Sequence, residues 1–258
     1  MKFNFKKKFG QNFLQDKSVI QNIVDAISPT ENDLVIEIGP GAGALTERLV
    51  KKDCYLRAYE IDLDTKDILS KLENDKVKVI YKDFLKCDVI EDIKDIPYEN
   101  LYIIGNLPYY ITTPIITKII ESKLPAKEVV VMVQKEVADR FSADVNSRDY
   151  GSITVFLNYF FDIKKLFVVS KNKFYPVPGV DSAVIKFTRK DDLIDVDFDK
   201  FNRLVKNSFQ FKRKNLRNNL KGYDKDKVNA ILGEYGYSLD DRAENLSYDI
   251  FVDIANRL

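Results

Sequence analysis

The segment that most restricts the fold is Leu34-Val35-Ile36-Glu37-Ile38, which runs directly into Gly39-Pro40-Gly41-Ala42-Gly43. A short, nearly all-aliphatic run bounded by glycines reads as a strand buried on both faces. The glycines let the backbone turn tightly and approach a ligand without a Cβ in the way. A helix is expected over 43–52, so the first legible unit is strand, glycine-rich turn, helix.

The alternation continues down the chain. A helix over 19–27 precedes that unit, with Asp16 or Ser18 as its cap. Strands are expected at Tyr55–Tyr59, Val77–Tyr81, Leu101–Gly105 and Val129–Gln134, with helices at Leu63–Leu72 and from Pro114 to Ser122. Residues 151–160 suit a helix better than a strand, because strands follow at Lys165–Val169 and 183–188. Such alternation argues a largely parallel sheet covered by helices. The acidic stretch Asp191, Asp192, Asp195 and Asp197 marks a change in composition. Beyond it only helices are expected, at Phe201–Phe209, Lys214–Leu220, Lys225–Leu232 and Tyr248–Leu258. The fold class is therefore α/β. A Rossmann-like domain is expected over 1–190, with a small all-helical domain over 191–258.

Composition narrows the chemistry. There is no histidine, which excludes Ser-His-Asp and Cys-His catalysis. Cys54 and Cys87 are too few and too isolated for a disulfide framework or a zinc site, so no metal is expected. No apolar run approaches the roughly 18 residues that span a bilayer, and the basic start lacks a following apolar segment. A cytoplasmic, monomeric protein is the expectation. The net charge of +1 conceals segments of strong charge. Residues 200–227 hold ten basic residues against Asp224 and Asp226, and residues 1–18 hold five lysines against Asp16. One-signed segments of this kind are either phosphate-binding surfaces or solvated lysine-rich faces.

Three further features surround the glycine-rich turn. Glu60 ends the second strand, 21 positions after Gly39, where a carboxylate can accept both ribose hydroxyls. Asp83 follows the third strand and can accept from an adenine amino group, with Phe84 or Leu85 against the ring. NAD and S-adenosylmethionine both suit this arrangement. The spacing is G-x-G-x-G preceded by Glu37, rather than the dinucleotide G-x-G-x-x-G. A pyrophosphate would sit beside Glu37, whereas a sulfonium cofactor with its own amino group gains from nearby carboxylates. The residues thus favour the methyl donor.

Asn106-Leu107-Pro108-Tyr109 follows the next strand. The side-chain oxygen of Asn106 and the carbonyl of Leu107 can accept the two hydrogens of an adenine N6 amine. Pro108 holds Leu107 extended, and Tyr109 offers a flat face. Downstream, Phe174 in a proline-stiffened loop can close the other face of the base. An amine of this kind is strongly acidified once alkylated, so the lack of histidine is no obstacle. Orientation and electrostatic placement would supply most of the rate.

With these motifs in place the sequence resembles the ribosomal-RNA adenine N6,N6-dimethyltransferases, in particular those acting on the small subunit. Gly10-Gln11-Asn12-Phe13-Leu14-Gln15-Asp16 matches the N-terminal motif of that family. Glu37–Gly43, Glu60 with Ile61, Asp83 with Phe84, and Asn106–Tyr109 match the motifs that follow. Gln134–Arg140, Phe174–Ser182, Lys212–Leu220 and Arg242–Ser247 carry the likeness to the C-terminal region. The resemblance implies a cofactor pocket that includes Gln11, Asn12 and Leu14. It also implies methylation of two adjacent adenosines in the 3′-terminal hairpin loop of 16S rRNA, within a 30S particle or its late precursor. RNA contacts are expected from Lys6, Lys7, Lys8, Lys212, Arg213, Lys214 and Arg217. The chain departs from the usual pattern of the family at Ser170, where proline is common, and at Gly179, where a lysine or arginine is common. Related enzymes that methylate a large-subunit adenosine and confer macrolide resistance share fold, cofactor and clamp. The Val180-Asp181-Ser182-Ala183-Val184 segment, Thr113-Pro114 and the long basic stretch favour the small-subunit reading. An NAD-dependent oxidoreductase leaves Asn106–Tyr109 unexplained. A non-catalytic ribosome assembly factor accounts for the basic segment alone.

Overall fold

A computed structural model describes residues 12–258. Within it the chain divides into two compact units, one of residues 12–138 and 164–188, the other of residues 139–163 and 189–258.

The first unit is built on a twisted sheet. Its strands are β2 (Leu34–Ile38), β3 (Tyr55–Tyr59), β4 (Val77–Ile80), β5 (Leu101–Asn106), β6 (Ala126–Gln134) and the greater part of β7 (Phe161–Val169) and β9 (Ser182–Arg189). They lie in the order β4-β3-β2-β5-β6-β9-β7. The strands from β2 to β6 pair in parallel, and β9 runs antiparallel to β6. A separate two-stranded ladder joins β1 (Phe13–Leu14) to β8 (Phe174–Tyr175). Alternate strand residues Val35, Leu56, Tyr102, Ile104, Val130 and Val184 share a core with Ile20, Ile23 and Val24 of α1 (Lys17–Val24). The intervening positions, such as Ile36, Ile103 and Val131, are also fully buried and face the other side. This is why the central strands read as unbroken apolar runs.

Asp16 caps α1 through hydrogen bonds from the Ser18 and Val19 N–H groups. The helix of α5 (Thr112–Glu121) begins two residues earlier than the sequence suggests. Pro114 therefore falls in its first turn, where a missing N–H costs nothing. The short helices α2 (Thr46–Leu49), α3 (Lys66–Leu69), α4 (Val89–Ile93) and α6 (Lys135–Phe141) complete the connections up to β6 and beyond. Neither α4 nor α6 is evident in the sequence, because each is too short to show a helical period.

The second unit contains α7 (Ser152–Phe160), α8 (Phe198–Ser208), α9 (Leu216–Asn219), α10 (Lys225–Glu234) and α11 (Tyr248–Arg257). Its composition differs from the single boundary at 190, because residues 139–163 pack with the C-terminal helices. The reason is aromatic. Phe156 and Phe160 of α7 lie 5.1 and 5.5 Å from the Phe198 ring, and Tyr159 lies 5.2 Å from Phe201. Among the described helices none is long and apolar enough to cross a membrane.

The strand order reverses direction between β2 and β5, and open parallel sheets bind ligands at such a switch point. Register places Ile38 opposite Gly105 there. A Cβ on Gly105 would stand 2.6 Å from the Ile38 carbonyl oxygen, a contact with backbone that no rotamer relieves. Gly105→Ala should therefore push β2 and β5 apart and lower stability by about 1–3 kcal/mol, the usual cost of overpacking. Thermal or urea unfolding reads this directly, and an unchanged midpoint would show that the strands separate freely.

Candidate active site

The C-terminal ends of β2 to β5 open onto a cavity of about 250 Å³ in the first unit. Its floor is the glycine turn after β2. Gly39 donates its N–H to the Tyr59 carbonyl, 2.9 Å away, so the turn is tied to the end of β3. Gly41 has φ +56° and donates to Glu60 Oε2 at 2.8 Å. A Cβ there would meet the Phe13 ring at 3.1 Å, so glycine is required both for the turn and for close packing of the N-terminal wall. Gly43 was expected beside the ligand but does not line the cavity. It sits against Leu69 and Leu72, where it permits the connection into α2 to pack on the following helix.

Three carboxylates face the cavity, as the spacing predicts. Glu60 is 4% exposed and also accepts from the Asp62 N–H at 2.8 Å. Both of its oxygens thus accept from the backbone, and the carboxylate keeps lone pairs for a hydroxyl. Burial pushes its pKa up. Asp83 accepts from the Leu85 N–H at 3.1 Å and begins a single helical turn that sets Phe84 and Leu85 on the cavity wall. Phe84 is steadied edge-on by Tyr59, with ring centroids 5.3 Å apart. Ile61 lines the rim and is half exposed. Glu37 is buried, and the Thr46 hydroxyl donates to its Oε2 at 2.8 Å. Burial, with the nearby Glu60 charge adding to it, raises its pKa to about 8.

The Asn106–Tyr109 clamp lines the same cavity. Asn106 ends β5, and its Nδ2 donates to the Asn12 carbonyl at 3.2 Å, which fixes which way the amide is turned. Leu107 is buried, and its N–H is tied to Met132 of β6, so the clamp's backbone extends the sheet. Pro108 and Tyr109 line the cavity, and the Tyr109 hydroxyl lies 2.7 Å from Ser182 Oγ. Burial pushes the Tyr109 phenol up, so the ring stays neutral.

Asn12 and Leu14 line the cavity as expected, whereas Gln11 lies outside the described residues. Their segment is pinned by Gln15, whose N–H donates to the Lys173 carbonyl, and by the Lys173–Asp16 ion pair at 2.5 Å. Phe174 departs from expectation. It pairs with Leu14 across the small ladder, is 3% exposed and joins the core with Ile20 and Val169. It does not line the cavity, so the aromatic sandwich with Tyr109 is not formed. Phe174 buttresses the wall from behind. Sequence reasoning also missed Ser182 and Lys173, whose partners lie 73 and 157 positions away. No local pattern announces such pairs.

The basic residues of the second unit form a tighter feature than a helix face. Helix α9 starts at Leu216 with Asn215 as its cap, so Lys212, Arg213 and Lys214 sit in the preceding turn. The buried Asn219 amide holds that turn by donating to the Ser208, Phe211 and Lys214 carbonyls and accepting from Phe211 N–H. The three basic residues are exposed, and Arg217 is paired with Asp240 at 3.1 Å. Lys6, Lys7 and Lys8 lie outside the described residues.

A largely parallel sheet with Glu37 in β2, carboxylates after β3 and β4 and the Asn106–Tyr109 turn after β5 is the arrangement of a nucleotide-cofactor methyltransferase. The comparisons with known proteins agree. The family model of ribosomal RNA adenine dimethylases matches residues 2–258, and the chain belongs to that family. It is 44% identical over 99% of its length to the ribosomal RNA small subunit methyltransferase A of Streptococcus thermophilus, covering 92% of that protein. The counterpart in Streptococcus pneumoniae is 43% identical with the same coverage. Among solved structures, a dimethyladenosine transferase from Plasmodium falciparum superposes with a TM-score of 0.80 at 24% identity, covering 94% of this chain and 95% of that one. The 23S rRNA methyltransferase ErmE gives 0.73 at 25% identity, covering 96% and 99%. The chain is accordingly an S-adenosylmethionine-dependent methyltransferase. The donor set fits that cofactor. Glu60 and Asp83 suit its ribose and adenine, and buried carboxylates suit its cationic end.

Glu37 makes the site pH-sensitive. Between its ordinary value near 4.5 and about 8 the folded protein keeps a proton that the unfolded chain has lost. Stability should therefore fall as pH rises through that window. A cationic ligand favours the ionised form, so its binding should release a proton, and its affinity should rise towards pH 8. Titration calorimetry in buffers of differing ionisation enthalpy measures that proton. Glu37→Gln should reduce the release and flatten the stability slope, leaving the contribution of Glu60, whose pKa burial also raises.

Proposed function

We propose that this protein transfers methyl groups from S-adenosylmethionine to N6 of two adjacent adenosines in the 3′-terminal hairpin loop of 16S rRNA, within the 30S subunit or its late precursor. The observation that carries the reading is the placement of Asn106. Its amide is oriented by Asn12 and shares one cavity with Glu60 and Asp83. Identity of 44% to a small-subunit methyltransferase, against 25% to the 23S rRNA methyltransferase, supports the choice of subunit.

The bound cofactor supplies an electrophilic methyl group. The protein's own residues do the rest. Asn106 Oδ1 and the Leu107 carbonyl accept the amine hydrogens and fix its lone pair, while Tyr109 covers one face of the base. The adenosine is unstacked from its neighbours to enter. The proton released on methylation leaves to solvent, since the alkylated amine is strongly acidic. Leu107 and Pro108 keep the clamp rigid through the sheet, and Glu60, Asp83 and Ile61 hold the cofactor. The basic turn of the second unit docks on rRNA phosphates, positioning the particle without reading sequence. A cytoplasmic monomer suits this role.

The deciding experiment is transfer of labelled methyl groups to unmodified 30S and 50S particles, followed by mapping of the modified nucleotide. Label on the 50S particle alone would transfer the reading to the large-subunit enzymes. Asn106→Ala should lower turnover by roughly two to three orders of magnitude, the scale for one preorganised polar contact, with cofactor affinity nearly unchanged. Glu60→Ala should do the reverse and weaken cofactor binding first.

Reversing Lys212, Arg213 and Lys214 to glutamate should weaken particle binding and flatten its salt dependence by about one unit of log–log slope per lost phosphate contact. Cofactor affinity should not change. Binding measured at several salt concentrations reads this, and an unaltered slope would remove the turn from the docking surface.

A further inference from the structure

We propose that Ser182 is a positioning residue for methyl transfer, holding the Tyr109 ring at the angle from which it covers the target base. This rests on the adenosine-methylating reading of the cavity.

Tyr109 opens a single turn, Tyr109–Ile111, between β5 and α5. Its ring is only half buried. What restrains the far end of the ring is the 2.7 Å contact between its hydroxyl and Ser182 Oγ. Ser182 is a firm anchor. It is fully buried and is the first residue of β9, paired with Gln134 at the end of β6. The preceding residue is tied twice, because the Asp181 carbonyl accepts from Lys135 N–H at 3.0 Å and its Oδ1 accepts from Lys171 N–H at 2.9 Å. The hydroxyl is therefore presented from the sheet itself. Ring and clamp are referred to one frame, since Leu107 N–H is bonded to Met132 of the same β6.

A ring so held needs no reordering when the base arrives, and a fixed platform keeps the amine in line with the methyl group. Misplacement of reacting groups by about 1 Å is costly in rate. The hydroxyl pair touches no reacting atom, so its loss should reach the chemistry only through Tyr109.

The test is a double-mutant cycle of Ser182→Ala and Tyr109→Phe in the full chain, with methyl transfer followed on both unmodified 30S and 50S particles. Each single variant should lower kcat by about three- to tenfold, the worth of one hydrogen bond, with KM for the particle and cofactor affinity unchanged. The double variant should be no slower than either single one. Additive losses, unchanged kcat, or a loss confined to cofactor affinity would each overturn the proposal. Should Ser182→Ala fail to fold, Tyr109→Phe removes the same bond from the accessible side, and full activity in that variant overturns it equally. A wild type that methylates only 50S particles refutes the 30S reading while the cycle remains measurable on that substrate. A wild type inert on both refutes the two together.

Discussion

The parallel pairing of β2 with β5 sets the distance between the two halves of the site. One half follows Ile38 as the glycine turn, and the other follows Gly105 as the amide clamp. The strands approach so closely at that register that only a hydrogen atom fits between the Gly105 Cα and the Ile38 carbonyl. The carboxylates and Asn106 consequently share one cavity rather than two clefts. The spacing between the two walls of the cavity follows from this register. Rate enhancement by placement requires a frame that does not breathe, and the central strands of a sheet buried on both faces supply it.

Much of this was legible in the sequence because it is local. The strands around the site alternate with helices at short spacing, so Glu37, Glu60, Asp83 and Asn106 could each be assigned to the end of a strand. Ends of neighbouring parallel strands come together at one edge of a sheet whatever the loops do. What was not legible depends on pairs far apart in the chain. Phe174 carries a motif position that suggests a platform, yet its pairing with Leu14 turns it into the core. Gly43 shares a motif with Gly39 and Gly41 but serves helix packing. The basic run 212–214 has the charge of a docking helix, and only the Asn219 amide reveals that it is a turn.

The wall nearest the N-terminus is a distinct element, a two-residue ladder outside the main sheet. It carries Phe13 and Leu14 to the cavity and is anchored by the Asp16–Lys173 pair and the Gln15–Lys173 backbone bond. An exposed ion pair alone contributes little. Here it acts beside a buried leucine and a helix cap, so one short segment combines three modest restraints. Such a wall is easier to remake than the β2–β5 frame, which places adjustment of the pocket at its edge and keeps its catalytic spacing fixed.

The insertion of residues 139–163 into the second unit bears on how the chain emerges from its own synthesis. Phe156 and Phe160 leave the ribosome roughly forty residues ahead of Phe198, their aromatic partner. Tyr150 waits longer still, since the Leu246 carbonyl that accepts its hydroxyl lies 96 positions downstream. A helix with so many aromatic groups must remain without its native neighbours during that interval. Contacts so distant in sequence carry a loop-closure cost that slows folding. The strands from β3 to β6 can each pair with a neighbour already made, whereas the helical unit can close only when the last helix is released.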